Sequence, residues 1–102
     1  MNLLQWLEEW YQAQCDGSWE HLFGVTVETL DNPGWHMRID LEDTDLEHKA
    51  FNEIWYDKGA EDWLICRTNQ GKFEGSGDPK KLLSILQIFK DWVEVPERTE
   101  VE

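Results

Sequence analysis

The groups in this 102-residue chain best suited to chemistry are three histidines, two cysteines and 22 carboxylates. His21, His36 and His48 stand far apart, without the HxxxH, HExxH or CxxC spacing that places two ligands on one side of a metal. Asp43, Asp45 and Glu47 alternate like the opening of a calcium loop. His48, however, falls where the turn glycine belongs and Ile54 where the bidentate glutamate belongs, so this segment reads as a solvated acidic loop. Cys66 lies in an expected strand between Ile65 and Arg67, with no helix N-terminus to lower its pKa, and reads as a buried structural thiol. Cys15 falls at a helix C-terminus, where the dipole disfavours a thiolate, and His21 six residues on makes no dyad with it. There is no GxSxG elbow or phosphate-binding loop, and Gly71, Gly75 and Gly77 lack the dinucleotide spacing. Adjacent carboxylates are plentiful, but a formal charge of −13 makes them so by composition, and acid–base work needs a cleft that splits their pKa values. The sequence thus points away from an enzyme and implies neither cofactor nor metal.

The charge itself is informative. Nine Lys and Arg face the 22 acids, and the sequence pI is near 4.4. Residues 1–50 hold 11 acids and two bases, residues 51–102 hold 11 acids and seven, and no Lys or Arg precedes Arg38. Such a field repels phosphate backbones and anionic headgroups, so neither nucleic acid nor membrane is expected as a partner. It attracts a basic protein and speeds the encounter, although acidity also serves solubility alone. No apolar run is long enough to span a bilayer and no basic-then-apolar leader opens the chain, so the expected location is the cytoplasm, with both thiols reduced.

The elements that must position these groups follow from periodicity. Forty per cent of the residues are apolar and 13% aromatic, with seven tryptophans, enough to give one small domain over residues 1–95 a core. Leu3, Leu7 and Trp10, with Leu4 and Tyr11 beside them, predict a helix over 2–14, ended at Gly17. Phe23, Val25 and Val27, then Trp35, Met37, Ile39 and Leu41, alternate with polar residues across Asp31-Asn32-Pro33-Gly34, the pattern of a hairpin. Residues 42–50 are a polar connector. A second strand pair is expected over 51–57 and 63–68, then a short strand over 72–74. Asp78 as N-cap and Pro79 at the first helical position open a helix carrying Leu82, Ile85, Leu86, Phe89, Trp92 and Val93, which Pro96 stops. Residues 96–102 read as a disordered acidic tail. The expected class is α+β: an antiparallel β-meander of four to five strands with an N-terminal and a C-terminal helix packed on one face.

Trp19 stands apart, following a turn among polar neighbours. It either plugs the end of the core or anchors a partner between Asp16 and Glu20. The surrounding residues, Trp6-Leu7-Glu8-Glu9-Trp10-Tyr11, Gln14 through His21, and Gly24-Val25, resemble the N-terminal signature of the immunity protein 53 family. Glu28 through Trp35, Asp62-Trp63, Gly71 through Gly75 and the closing helix from Pro79 continue the likeness over roughly residues 3–93. The resemblance implies a bacterial immunity protein of a polymorphic toxin system, non-enzymatic and cytoplasmic, that binds a cognate toxin domain. It fixes neither the toxin nor any catalytic residue.

With the charge, this suggests a basic nuclease as the toxin, blocked by an acidic surface. Three surfaces are candidates: Asp40, Glu42, Asp43, Asp45 and Glu47 at a strand end and its connector; the turn with Asp16, Trp19 and Glu20; and the uncovered sheet face with Thr26, Glu28, His36, Arg38 and Trp55. The 40–47 segment with the adjoining sheet face is favoured, for its surplus of acids over bases. A general interaction domain or weak homodimer working through strand aromatics is the alternative, and the chain itself is expected to be a monomer or weak homodimer.

Overall fold

A computed structural model describes residues 1–96. The first helix begins one residue later than its periodicity suggests, because Asn2 caps it. The Asn2 side chain accepts the Gln5 N–H at 2.8 Å while the Gln5 side chain accepts the Asn2 N–H at 3.2 Å. Helix α1 spans Leu3–Gln14, and Gly17, at φ +95°, turns the chain into the single turn α2, Trp19–Leu22.

The hairpin follows as β1 (Val25–Leu30) and β2 (Gly34–Asp40), paired antiparallel with Val27 opposite Met37. The remaining strands are β3 (Ile54–Asp57), β4 (Trp63–Asn69) and β5 (Lys72–Gly77). All neighbours are antiparallel and the order is β1-β2-β5-β4-β3. The sheet therefore has five strands, within the four to five expected, but the polar connector carries the chain from β2 to the far edge. The meander resumes there and closes back on β2 through β5. Two expectations about length are revised. Strand β3 starts at Ile54 because Phe51 turns into the core, edge-on to Phe73 and Trp92 at 5.6 and 5.4 Å. Strand β5 runs on to Gly77, and its two extra inward positions are Gly75 and Gly77. A Cβ at Gly75 would stand 2.4 Å from the Ile85 methyl, so glycine is what lets the last helix seat directly on the strand.

That helix, α3, spans Leu82–Glu94 and buries Ile85, Leu86 and Phe89, each contributing about 1.5–3 kcal/mol of burial before entropy is counted. Both long helices lie on one sheet face. Phe89 gathers Trp6 and Trp10 of α1 edge-on at 5.8 and 5.2 Å and meets Phe73 of β5 at 5.0 Å. The start of α3 departs from the sequence reading: Asp78 caps a turn rather than the helix, which opens at Leu82 with Lys81 as its N-cap. One Asp78 oxygen accepts the Lys80 N–H at 2.8 Å. The other accepts the Trp63 N–H at 2.9 Å and the Lys81 ammonium at 2.7 Å, which also reaches Asp62 at 2.7 Å. A fully buried carboxylate thus ties β4 to the approach of α3. The acidic tail beyond residue 96 lies outside the described residues.

Candidate functional site: an acidic end of the sheet

Trp19 decides the geometry. It is 3% exposed, edge-on to Trp10 and Tyr11 at 6.2 and 6.0 Å and tilted against Phe23 at 6.0 Å. Of the two roles its position allowed, the structure gives the plug: the ring is covered and presents nothing to a partner. Its indole N–H donates to the Glu42 carbonyl at 2.9 Å. Two turns that are separate in sequence, 16–20 and 40–47, become one surface.

Each turn is held from within. Asp16 Oδ1 accepts the N–H groups of Ser18 and Trp19 at 3.0 Å, and the Glu20 carboxylate accepts those of Asp16 and Gly17 at 3.0 and 2.9 Å. The backbone bonds from Trp19 and then Ser18 hold the Asp16 carboxyl below its ordinary pKa. In the connector, Leu41 and Leu46 are buried as two anchors. Between them the Thr44 hydroxyl donates to the Leu41 carbonyl at 2.7 Å and accepts the Leu46 N–H at 3.0 Å. Asp43 takes the left-handed conformation, φ +63°, and its N–H donates to Glu47 at 3.2 Å. This anchored loop leaves Asp43 and Asp45 exposed, with no side-chain hydrogen bond or ion pair among the described residues.

Asp40 and Glu42 behave differently. Asp40 Oδ2 accepts the Gly24 N–H at 2.9 Å, and the Lys72 ammonium lies 3.7 Å from Asp40 and 3.6 Å from Glu42. Lys72 is the one lysine or arginine of the described residues in ion-pair range of this surface. Lys49, though in the same connector, turns away and donates to the carbonyls of Trp92 (2.6 Å) and Val95, covering the C-terminal end of α3. Asp16, Glu20, Asp40, Glu42, Asp43, Asp45 and Glu47 thus share one end of the sheet, with Lys72 the single cation between them among the described residues.

A match over residues 4–94 to the family model for immunity protein 53 accompanies this geometry. The chain belongs to the immunity protein 53 family. Its members are immunity proteins directed against toxins, so the surface to seek on this immunity protein is one that a toxin can meet. No curated protein and no solved structure matches the chain.

Glu28 and His36 are not part of the acidic end. They face each other across β1 and β2 on the sheet face away from the helices. There His36 Nδ1 and the Ser76 hydroxyl share a hydrogen bond at 2.8 Å, beside a groove of about 260 Å³ that Trp55, Ile65, Arg67 and Glu74 complete. Arg67 pairs with Glu74 at 3.3 Å and Arg38 reaches the Thr26 hydroxyl at 3.4 Å, so this face carries both signs. Trp55 stands 68% exposed on it. Sequence reasoning missed Lys72, which meets Asp40 only because β5 pairs with β2, a contact no local spacing signals.

The other groups with chemical capacity are structural. Burial pushes the Cys66 thiol up to about 12, leaving it a neutral packing group at physiological pH. At the opposite end of the sheet the Tyr56 hydroxyl donates to Asp62 at 3.0 Å, and that bond raises its pKa. The Lys81 ammonium lowers Asp62 and takes Asp78 down to about 2. Among the described residues no group of three His, Cys, Asp or Glu is placed to hold a metal ion.

Proposed function

We propose that this immunity protein neutralises a cationic toxin domain, a nuclease with a basic active-site groove, by seating its rigid acidic end over that groove. The observation that carries the reading is the Trp19 bond to the Glu42 carbonyl, which fuses the two acidic turns into one surface. A nuclease groove must hold a polyanion and is lined with cations. A fixed array of carboxylates offers those cations what the phosphates would, without a bond to cleave. Rigidity matters because an ordered surface loses little conformational entropy on docking. Asp43 and Asp45, without side-chain partners among the described residues, steer the encounter, while Asp16 and Glu20 hold the shape. In this reading the chain acts by binding alone, in the cytoplasm of the cell that makes the toxin, as a monomer or weak homodimer.

A second reading places the contact on the free sheet face through Trp55, whose exposure favours it; its mixed charge suits a basic groove less well. Co-expression with a toxin, sought in the gene next to the one encoding this chain, separates the two. Wild type should restore growth, Asp43→Lys with Asp45→Lys should lose protection, and Trp55→Ala should keep it. The reverse pattern would transfer the site to the sheet face.

A further inference from the structure

The sheet has an open edge at β1. The Asp40 N–H donates to the Gly24 carbonyl at 3.0 Å, which sets the phase of the β1–β2 ladder. Residues 24, 26, 28 and 30 turn their peptide groups toward β2, and those of Val25, Val27 and Thr29 point outward. Among the described residues no strand lies beyond them. Edge strands are commonly blunted by lysine, proline or a bulge. Strand β1 has none of these, and its pairing with β2 runs unbroken for six residues. The opposite edge, β3, is four residues long and runs into Lys58.

Beside β1, on the helix side, runs a groove of about 340 Å³ lined by Leu7, Glu8, Tyr11, Gly24 and Val25. Val27, 43% exposed, shares the inward-facing side of β1 with Val25. Every residue of this groove and of β1 comes from the stretch before Arg38, which contains no lysine or arginine. The Gly24 N–H donates to the Asp40 carboxylate, so the strand begins where the acidic end stops.

We infer that β1 is a strand-addition site: an extended, basic segment of the toxin pairs with Val25, Val27 and Thr29 through its backbone. One apolar side chain of that segment enters the groove, and its lysines or arginines face Glu8 and Glu28. The inference rests on the reading that the partner is a cationic toxin. A second copy of this chain fits the edge less well, because each copy carries a formal charge of −13 and would bring its own Glu28 to the shared edge.

The test is amide hydrogen exchange on the full chain, alone and with the adjacent-gene toxin domain carrying an inactivating substitution. Alone, the amides of Val25, Val27 and Thr29 should exchange freely; in the complex each should slow at least about tenfold, the scale expected for one new hydrogen bond. Val27→Pro removes an outward N–H that β2 does not use, so the fold should persist while affinity falls by about tenfold. If that variant fails to fold, exchange on the wild-type chain decides. Binding that leaves the three amides fast overturns strand addition and leaves the acidic-end reading standing. Protection of those amides in a dimer of the free chain overturns it in favour of a second copy, and no binding at all removes the toxin reading on which it rests.

Discussion

Replacing Trp19 with alanine empties the space under the joined acidic turns. The ring is almost fully covered and touches three aromatic neighbours, and truncation of such a residue costs about 3–5 kcal/mol. Trp19→Phe keeps most of the ring but leaves the Glu42 carbonyl without its indole donor, a loss of roughly 1–2 kcal/mol from the hydrogen bond and the smaller side chain. Urea titration followed by far-ultraviolet circular dichroism measures both, since six other tryptophans would blur a fluorescence signal. The same variants should speed amide exchange over residues 42–47 more than in α3, because Trp19 touches that loop directly. An alanine variant within about 1 kcal/mol of wild type would show that the plug is not what holds this end together. Destabilisation with unchanged exchange at 42–47 would show that the two turns are not coupled.

Acid should act through Asp78. Its pKa is depressed to about 2, chiefly by the Lys81 ammonium, so its contribution is complete above the ordinary aspartate range and is lost as pH falls from about 4 through 2. Lys81, raised by Asp62 and then Asp78, contributes in full below the ordinary lysine value and loses that contribution as pH rises above it. Denaturant titrations across pH should therefore show a shallower acid limb for Asp78→Asn than for wild type; parallel limbs would remove the clamp from the account. Gly75→Ala should destabilise by about 1–3 kcal/mol, since the new methyl meets Ile85 at 2.4 Å, while Gly24→Ala has open space and should be nearly silent. Equal thermal midpoints for the two variants would contradict the close seating of α3 on β5.

Much of the fold was legible because the hairpin and the helices carry strong periods. Val25-Val27 and Met37-Ile39 alternate cleanly, and Leu82 through Val93 repeat at helical spacing. Strand β5 was only half visible, because Gly75 and Gly77 carry no hydrophobic signal; their role is to be small beneath α3. Asp78 and Pro79 spell a helix start, yet the Trp63 N–H and the Lys81 ammonium claim the carboxylate for a tertiary clamp. The sheet order could not be read locally either, since a polar connector gives no sign of the edge it crosses to. For the site, the acidic residues were visible as composition. Their grouping was not, because it depends on one indole donor reaching 23 residues along the chain. Glu28 and His36 lie on the uncovered sheet face, as their alternation with the inward-facing strand residues implies; that the face carries both signs of charge depends on the Arg67–Glu74 pair, which the sheet pairing brings there.

The most direct measurement is the rate at which the immunity protein associates with its toxin domain as salt is raised, for wild type and for Asp43→Lys with Asp45→Lys. If the acidic end steers a basic partner, the wild-type rate falls steeply with ionic strength, and the double reversal slows association by about tenfold or more at low salt and by less at high salt. A wild-type rate indifferent to salt, with the reversed protein associating equally fast, would contradict the claim that fixed negative charge at this end of the sheet meets the toxin.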